Sequence, residues 1–392
     1  MSDACVRIRL TGRIDSNNAP AVEREIQAEL AGKGPLPVIL DAEDLEYISS
    51  AGLRVLLRLK KTQPELTLTG VSSQVYEILE MTGFTELLTV VKAYRTVSVE
   101  GCEVIGEGFN GKVYRLDQEN VVKTYKNAEA LPAIRHEREV ARLALILGIP
   151  TAISYDVVRV GEGYGAVFEL LEARSFAKIL AEEPEKLDWC VRESVSLLKK
   201  LHGTPVPEGK LPRRKEVLLA SARSIRPMLP EGPGEKLERM ISDIPERDTM
   251  LHGDYHTKNI VLAGEEVLLI DMDTLSTGHP IFDLAQMYNS YLGFSEYDPG
   301  VVLRFQGFDR DTALRFWRRS LEAYFGTGDA EKLAAAERRI RCVAYALLLD
   351  WSGDVLDLDT AEGQTTLELW TRELLALLET EDSLELKLPE EE

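Results

Sequence analysis

Along residues 5 to 91, short stretches in which apolar and polar side chains alternate are interleaved with longer ones in which apolar residues recur every three or four positions. The alternation begins at VRIRLTG and predicts a strand with one buried face. In NNAPAVEREIQAELAG, Val22, Ile26 and Leu30 share one helical face, Pro20 sits near the first turn, and Gly32 ends the run. PVILD is the next predicted strand. SSAGLRVLLRLKK opens on two hydroxyl residues suited to capping a helix, LTLTG gives another strand, and SSQVYEILEMTG gives a third helix. One sheet covered by these helices buries its apolar faces without help from the rest of the chain.

Beyond the short junction KAYRTVSVE the pattern changes. Residues 100 to 172 read as strands around one helix, and those after 175 as helices apart from VLLIDMD. The expected fold class is therefore α+β / α/β multidomain: an α/β domain over 1–93, a β-rich small lobe over 94–172, a helical large lobe over 173–380, and an acidic tail over 381–392. The tail, ETEDSLELKLPEEE, is expected to fray. A cleft between two such lobes suits a nucleotide.

Composition narrows the partners. With 392 residues, 44% hydrophobic and 29% charged, the chain has core material for more than one domain. Its formal net charge of -20 argues against nucleic acid and against an anionic membrane, both of which call for clustered Lys and Arg. The start, MSDACVRIRLTG, lacks a basic region followed by an apolar core, and no apolar run reaches spanning length, so a cytoplasmic protein is expected. Cys5, Cys102, Cys190 and Cys342 form no CxxC pair and suggest neither a zinc site nor a disulfide framework.

Candidate chemistry begins at GEGFNGKVYR, where Gly106, Gly108 and Gly111 make a GxGxxG. A dinucleotide site needs this motif to open a helix, but here KVYRL and VVKTY alternate like two strands around the turn LDQEN, which is how kinases cover phosphates. Lys123 in VVKTY is placed to grip phosphate. On the following helix, Glu137 and Glu139 are both candidates to orient it, Glu137 having the spacing to Gly148 expected in kinases of this type. In LHGDYHTKNIVL and the nearby VLLIDMD, Asp254 is a candidate proton acceptor for an attacking hydroxyl, while Asn259 and Asp271 offer oxygen ligands for Mg2+ on ATP phosphates. Asp273 either adds a metal contact or faces solvent. His252 and His256 read as braces for the loop rather than a zinc pair, since no third ligand is spaced nearby.

At these residues the sequence resembles the aminoglycoside phosphotransferase and choline kinase superfamily, which prefers HGD to the HRD of protein kinases. The resemblance covers residues 100 to about 350 and includes KKLHGTP and GHPIFDLAQMY, where His279 replaces a common acid. It implies a bilobal protein-kinase-like fold, Asp283 as a support for the catalytic loop, and FELLE around Glu169 as the hinge whose backbone meets adenine. TGRIDSNNAP and LEYISSAGLRVLL resemble a STAS domain of the anti-sigma-factor-antagonist type. That resemblance implies a protein partner and a phosphorylated serine at Ser50, with Asp15 beside it, although Ser49 stands where Asp is often found. Either Ser49 or Ser50 also suits the helix cap.

Three functions follow from these motifs. The leading one is an ATP-dependent phosphotransferase acting on a small-molecule hydroxyl, with a regulatory STAS domain. The second is a signalling kinase whose acceptor is Ser50 or a partner's serine, and the third a nucleotide sensor without catalysis.

Overall fold

The initial alternation becomes a parallel sheet. In the computed structural model, which describes residues 5–33, 36–107, 111–126 and 130–388, the first elements are β1 (Val6–Ile14), α1 (Ala19–Leu30), β2 (Val38–Ile48), α2 (Ser50–Thr62), β3 (Leu66–Val71), α3 (Ser73–Met81), α4 (Phe84–Leu87) and β4 (Thr89–Lys92). The strands lie in the order β1-β2-β3-β4 and every pair is parallel. Val6, Ile8, Leu10 and Ile14 of β1 and Val38, Leu40, Leu45 and Ile48 of β2 are buried with the apolar faces of the helices, giving this part its own core. The junction expected to begin at residue 92 is preceded by α4 and β4, which the sequence pattern did not separate.

The loop from β2 to α2 settles which serine is the cap. Ser49 has extended backbone, donates its N–H to the Ile14 carbonyl at 2.9 Å, and accepts at Oγ from the Ala51 N–H at 3.2 Å. Ser50 is the first helical residue, and its side chain is exposed.

By compactness the chain divides into residues 1–100 with 157–165, and 101–156 with 166–392. After β4 the chain continues with β5 (Val104–Glu107), β6 (Gly111–Arg115), β7 (Asn120–Tyr125), α5 (Leu131–Ile146), β8 (Ser154–Val160) and β9 (Gly163–Glu169), whose strands form a sheet ordered β5-β6-β7-β9-β8. Next come β10 (Ala173–Ser175), α6 (Phe176–Glu182), α7 (Leu187–His202), α8 (Arg214–Ile225) and α9 (Glu231–Ser242). Two short sheets follow, built from β11 (Met250–Leu251), β12 (Ile260–Ala263), β13 (Glu266–Leu269) and β14 (Ser276–Thr277): β10-β12-β13 and β11-β14. The remainder is helical: α10 (Ile281–Tyr288), α11 (Phe294–Tyr297), α12 (Val301–Gln306), α13 (Arg310–Phe325), α14 (Ala330–Asp350), α15 (Ser352–Val355) and α16 (Ala361–Thr380). Trp317, Tyr291, Tyr345 and Trp370 lie in its core.

The acidic tail does not fray over its described part. Leu384, Leu386 and Leu388 are buried in the large-lobe core, while Glu381 pairs with Arg338 at 2.6 Å and Arg339 at 3.3 Å. Lys236 Nζ donates to the Leu378 carbonyl and to Asp382, at 2.7 and 2.6 Å. LELKL is thus an extended segment with one apolar face, whose period of two was hidden among the surrounding charges. Replacing Leu386 with Ala is expected to cost about 2–4 kcal/mol, read as a lower urea midpoint; a loss near zero would show that the tail packs loosely.

Candidate active site

The register of one hairpin assembles half of the site. β12 and β13 pair Ile260 with Leu269, and the Ile270 N–H continues the ladder to the Asn259 carbonyl at 3.0 Å, so Asn259 and Asp271 emerge from the same end. The Asn259 Nδ2 donates to Asp254 Oδ2 at 3.1 Å and to the Asp254 carbonyl at 3.0 Å. Asp254, Asn259 and Asp271 are therefore held at one place by backbone pairing and one amide side chain.

Besides Asn259, four side chains account for the peptide groups of the loop His252–Gly253–Asp254. Asp283, fully buried on α10, accepts from the His252 N–H at 2.8 Å and the Gly253 N–H at 2.7 Å. Thr274 Oγ1 donates to the His252 carbonyl at 2.8 Å, Gln286 Nε2 to the Gly253 carbonyl at 3.0 Å, and the Asp254 N–H donates to His252 Nδ1 at 3.3 Å. Gly253 has φ +82°, and a Cβ there would lie 2.5 Å from the Thr274 carbonyl oxygen, so no other residue fits this turn without moving it.

Asp283 is itself held by His202, whose Nε2 lies 3.1 Å from Oδ2 and whose Nδ1 lies 2.7 Å from the Tyr324 hydroxyl. Burial would raise the Asp283 pKa, but His202, His252 and the Gly253 amide hold it below the usual carboxylate range. Burial would likewise raise the Asp254 pKa; the hydrogen bond from His256, the two histidine rings and Asn259 outweigh it and bring it to about 2. Asp254 is thus ionised at neutral pH, with its side chain 44% exposed. Burial pushes the His252 pKa down.

The small lobe contributes a cation. Lys123 on β7 donates from Nζ to Glu137 Oε1 at 2.9 Å and to Asp271 Oδ1 at 2.7 Å. Burial opposes its charge, and the two carboxylates more than restore it, so its pKa is raised. Glu137 is buried on α5, whereas Glu139 is exposed, so geometry resolves the choice between them. The Tyr125 hydroxyl, two residues along the strand, donates to Glu137 Oε2 at 2.6 Å. Asp271 has φ +62°, the one non-glycine residue with positive φ among those described. Asp273 is pushed up to about 6 by burial and by the nearby carboxylates Asp271 and Glu137.

The remaining expectations are placed as follows. Gly106 and Gly111 lie on the paired strands β5 and β6; Gly108 lies outside the described residues. A Cβ on Gly111 would fall onto the Thr124 carbonyl, so close strand contact by itself requires glycine there. Glu169 ends β9 and is exposed, bonded to none of the other site residues, and the next N–H, of Leu170, donates to the Glu119 carbonyl at 2.7 Å. Ser50 and Asp15 belong to the first unit, where Asp15 accepts from the Asn17 N–H in the loop after β1. Tyr125, Thr274, Gln286 and the His202–Tyr324 pair were not singled out as site residues from sequence. Tyr125 had a signal, since it shares the strand face of Lys123.

Asp283→Ala would leave two buried N–H groups and His202 without their acceptor and is expected to cost about 3–5 kcal/mol. Urea unfolding measures this, and a loss under about 1 kcal/mol would mean the loop's amides find other partners.

Comparison with known proteins places both halves. Residues 101–322, more than half of the chain, match the model of the phosphotransferase enzyme family, and residues 2–99 match the STAS domain. The "Putative anti-sigma factor antagonist BtrV" of Bordetella bronchiseptica is 40% identical over 88 residues, 21% of this chain and 75% of that protein. Similar solved structures include a choline/ethanolamine kinase family protein from Mesorhizobium loti, 16% identical, covering 71% of this chain and 88% of that one with TM-score 0.45. A GDP and kanamycin complex of an APH(2") enzyme is 16% identical, covering 77% and 98% with TM-score 0.47. With its glycine hairpin, Lys123–Glu137 pair and HGD loop lying within the matched segment, the chain belongs to the phosphotransferase enzyme family and carries a STAS domain ahead of that segment.

Proposed function

We propose that the second unit transfers the γ-phosphoryl group of ATP to a hydroxyl of a small molecule, with Asp254 as the proton acceptor. The observation that carries this reading is the meeting, through the β12–β13 hairpin, of ionised Asp254 with Asn259 and Asp271, and of Asp271 with Lys123. The acceptor oxygen forms a bond to the γ-phosphorus as the bond to the β,γ-bridging oxygen breaks. The hydroxyl proton passes to Asp254, and ADP leaves with the bridging oxygen. Lys123, oriented by Glu137, neutralises phosphate charge, and the strands that carry Gly106 and Gly111 cover it.

The donor set fits Mg2+. The Asn259 nitrogen is occupied by Asp254, which leaves Oδ1 without a hydrogen bond, and Asp271 Oδ2 accepts none among the described residues. Two protein oxygens with nucleotide phosphates completing the shell is the usual pattern for this ion. When bound, the ion neutralises charge on the phosphates. Glu169 marks the hinge proposed to meet adenine through backbone.

The STAS domain is proposed to engage a protein partner, as its antagonist relatives suggest. A second reading, in which Ser50 is the acceptor, is favoured by one observation: Ser49 supplies the cap, while the exposed Ser50 hydroxyl is unbonded at the first turn of α2. A phosphate there adds about -1.5 to -2 charges where helix amides accommodate it.

Asp254→Ala is expected to lower phosphoryl transfer by about 10²–10⁴-fold with folding intact, measured as ADP release with a panel of hydroxyl compounds. Transfer unchanged in that variant overturns Asp254 as the base. Intact mass after incubation with Mg-ATP separates the acceptors: a phosphate that appears on Ser50 and vanishes in both Asp254→Ala and Ser50→Ala selects the signalling reading, and an unmodified protein that turns over a small alcohol selects the first.

A further inference from the structure

Both oxygens of the buried Glu137 carboxylate are taken, one by the lysine of the nucleotide site and the other by a phenol to which the transfer chemistry gives no part. Lys123 Nζ donates to Oε1 at 2.9 Å, and the Tyr125 hydroxyl donates to Oε2 at 2.6 Å. Burial and the neighbouring Glu137 charge push the Tyr125 pKa up, so the hydroxyl keeps its proton and acts as the donor. Glu137 itself is 7% exposed, and a carboxylate so enclosed is costly to bury unless donors face its oxygens.

Strand geometry delivers the phenol to that place. Lys123 and Tyr125 stand two apart on β7 and therefore share a face. Their positions follow the β6–β7 register, Lys123 opposite Val113 and Tyr125 opposite Gly111. Along the shared face the Lys123 ammonium lies 5.4 Å from the centre of the Tyr125 ring, within cation–π reach. The ring thus lies beside the lysine, its hydroxyl reaches Glu137 on α5, and its backbone pairs with the last glycine of the GxGxxG. Without the hydroxyl, Oε2 of Glu137 loses its donor. The carboxylate is then free to turn both oxygens onto Nζ, drawing the ammonium toward α5 and off Asp271, which it meets at 2.7 Å.

We propose that Tyr125 is a positioning residue of the nucleotide site: by holding Oε2 of Glu137 it aims Oε1 at Lys123, and so fixes the ammonium that meets the phosphates. The proposal rests on the phosphotransferase reading and extends the Lys123–Glu137 pair by a third member. Because the hydroxyl acts through Glu137, its effect is confined to ligands that carry phosphate.

The test is calorimetric titration of the full chain with MgATP and, separately, with adenosine, in the unaltered protein, Tyr125→Phe, Glu137→Gln and the double variant. Tyr125→Phe keeps the ring beside the lysine and deletes only the hydroxyl. It is expected to weaken MgATP by about tenfold and to leave adenosine, which has no phosphate, unchanged. In the Glu137→Gln background the same deletion is expected to change MgATP binding no further, since the group it acts through has already lost its charge. If Glu137→Gln does not fold, Lys123→Met takes its place in the cycle, because no ammonium is then left to position. Adenosine weakened as much as MgATP would mean a generally loosened lobe and overturns the proposal. A full tenfold loss persisting in the Glu137→Gln or Lys123→Met background would put the hydroxyl on the nucleotide itself and overturns it too, as does MgATP binding unchanged in Tyr125→Phe. An unaltered chain that binds no MgATP overturns the phosphotransferase reading, and the role of Tyr125 falls with it.

Discussion

The Asp283 carboxylate is the constraint on which the His252–Gly253–Asp254 loop depends. Its two oxygens take the N–H groups of His252 and Gly253, and this fixes the backbone from which Asp254 projects. The group is fully buried, so its charge persists only because His202 and the two amides face it, with Tyr324 behind His202. α7, α10 and α13 thereby converge on a loop of three residues. The short β11–β14 pairing then ties that loop to the start of α8, and Thr274 and Gln286 take its carbonyls. Little freedom is left for Asp254 except rotation of its own side chain.

Lys123 is the counterpart in the small lobe. One ammonium holds Glu137 and Asp271 at once, while Tyr125 occupies the second oxygen of Glu137. The lysine is 18% exposed and Asp271 39%, so the pair sits at the edge of solvent rather than in a dry core. Such a bridge is weak enough to exchange partners and strong enough to keep both lobes' charged groups in register. The left-handed backbone at Asp271 belongs to the same arrangement, since it turns the chain out of the β12–β13 hairpin toward the lysine.

Much of this was legible in the sequence, for reasons that differ by residue. Lys123, Asp254, Asn259 and Asp271 were visible because they are charged or amide residues at spacings that a hairpin and a loop enforce. β1, α1 and α2 were visible because each has one buried face and therefore one period. Ser49 and Ser50 were indistinguishable because both carry a hydroxyl, and the hydrogen bond from Ser49 to the end of β1 is a tertiary fact. The tail was misread because LELKL is too short for its alternation to stand out among acidic neighbours, and its partners, Arg338 and Arg339, lie on α14.

Gly253 also bears on whether this loop can exchange its glycine for the arginine of an HRD sequence. Glycine and arginine codons differ by a single base, so the exchange is within easy genetic reach. The positive φ and the Thr274 carbonyl close that route here, because any Cβ meets backbone before the longer side chain is considered. A chain accepting that exchange must first shift the segment that follows Asp271, and until it does the glycine codon is held by geometry rather than by chemistry.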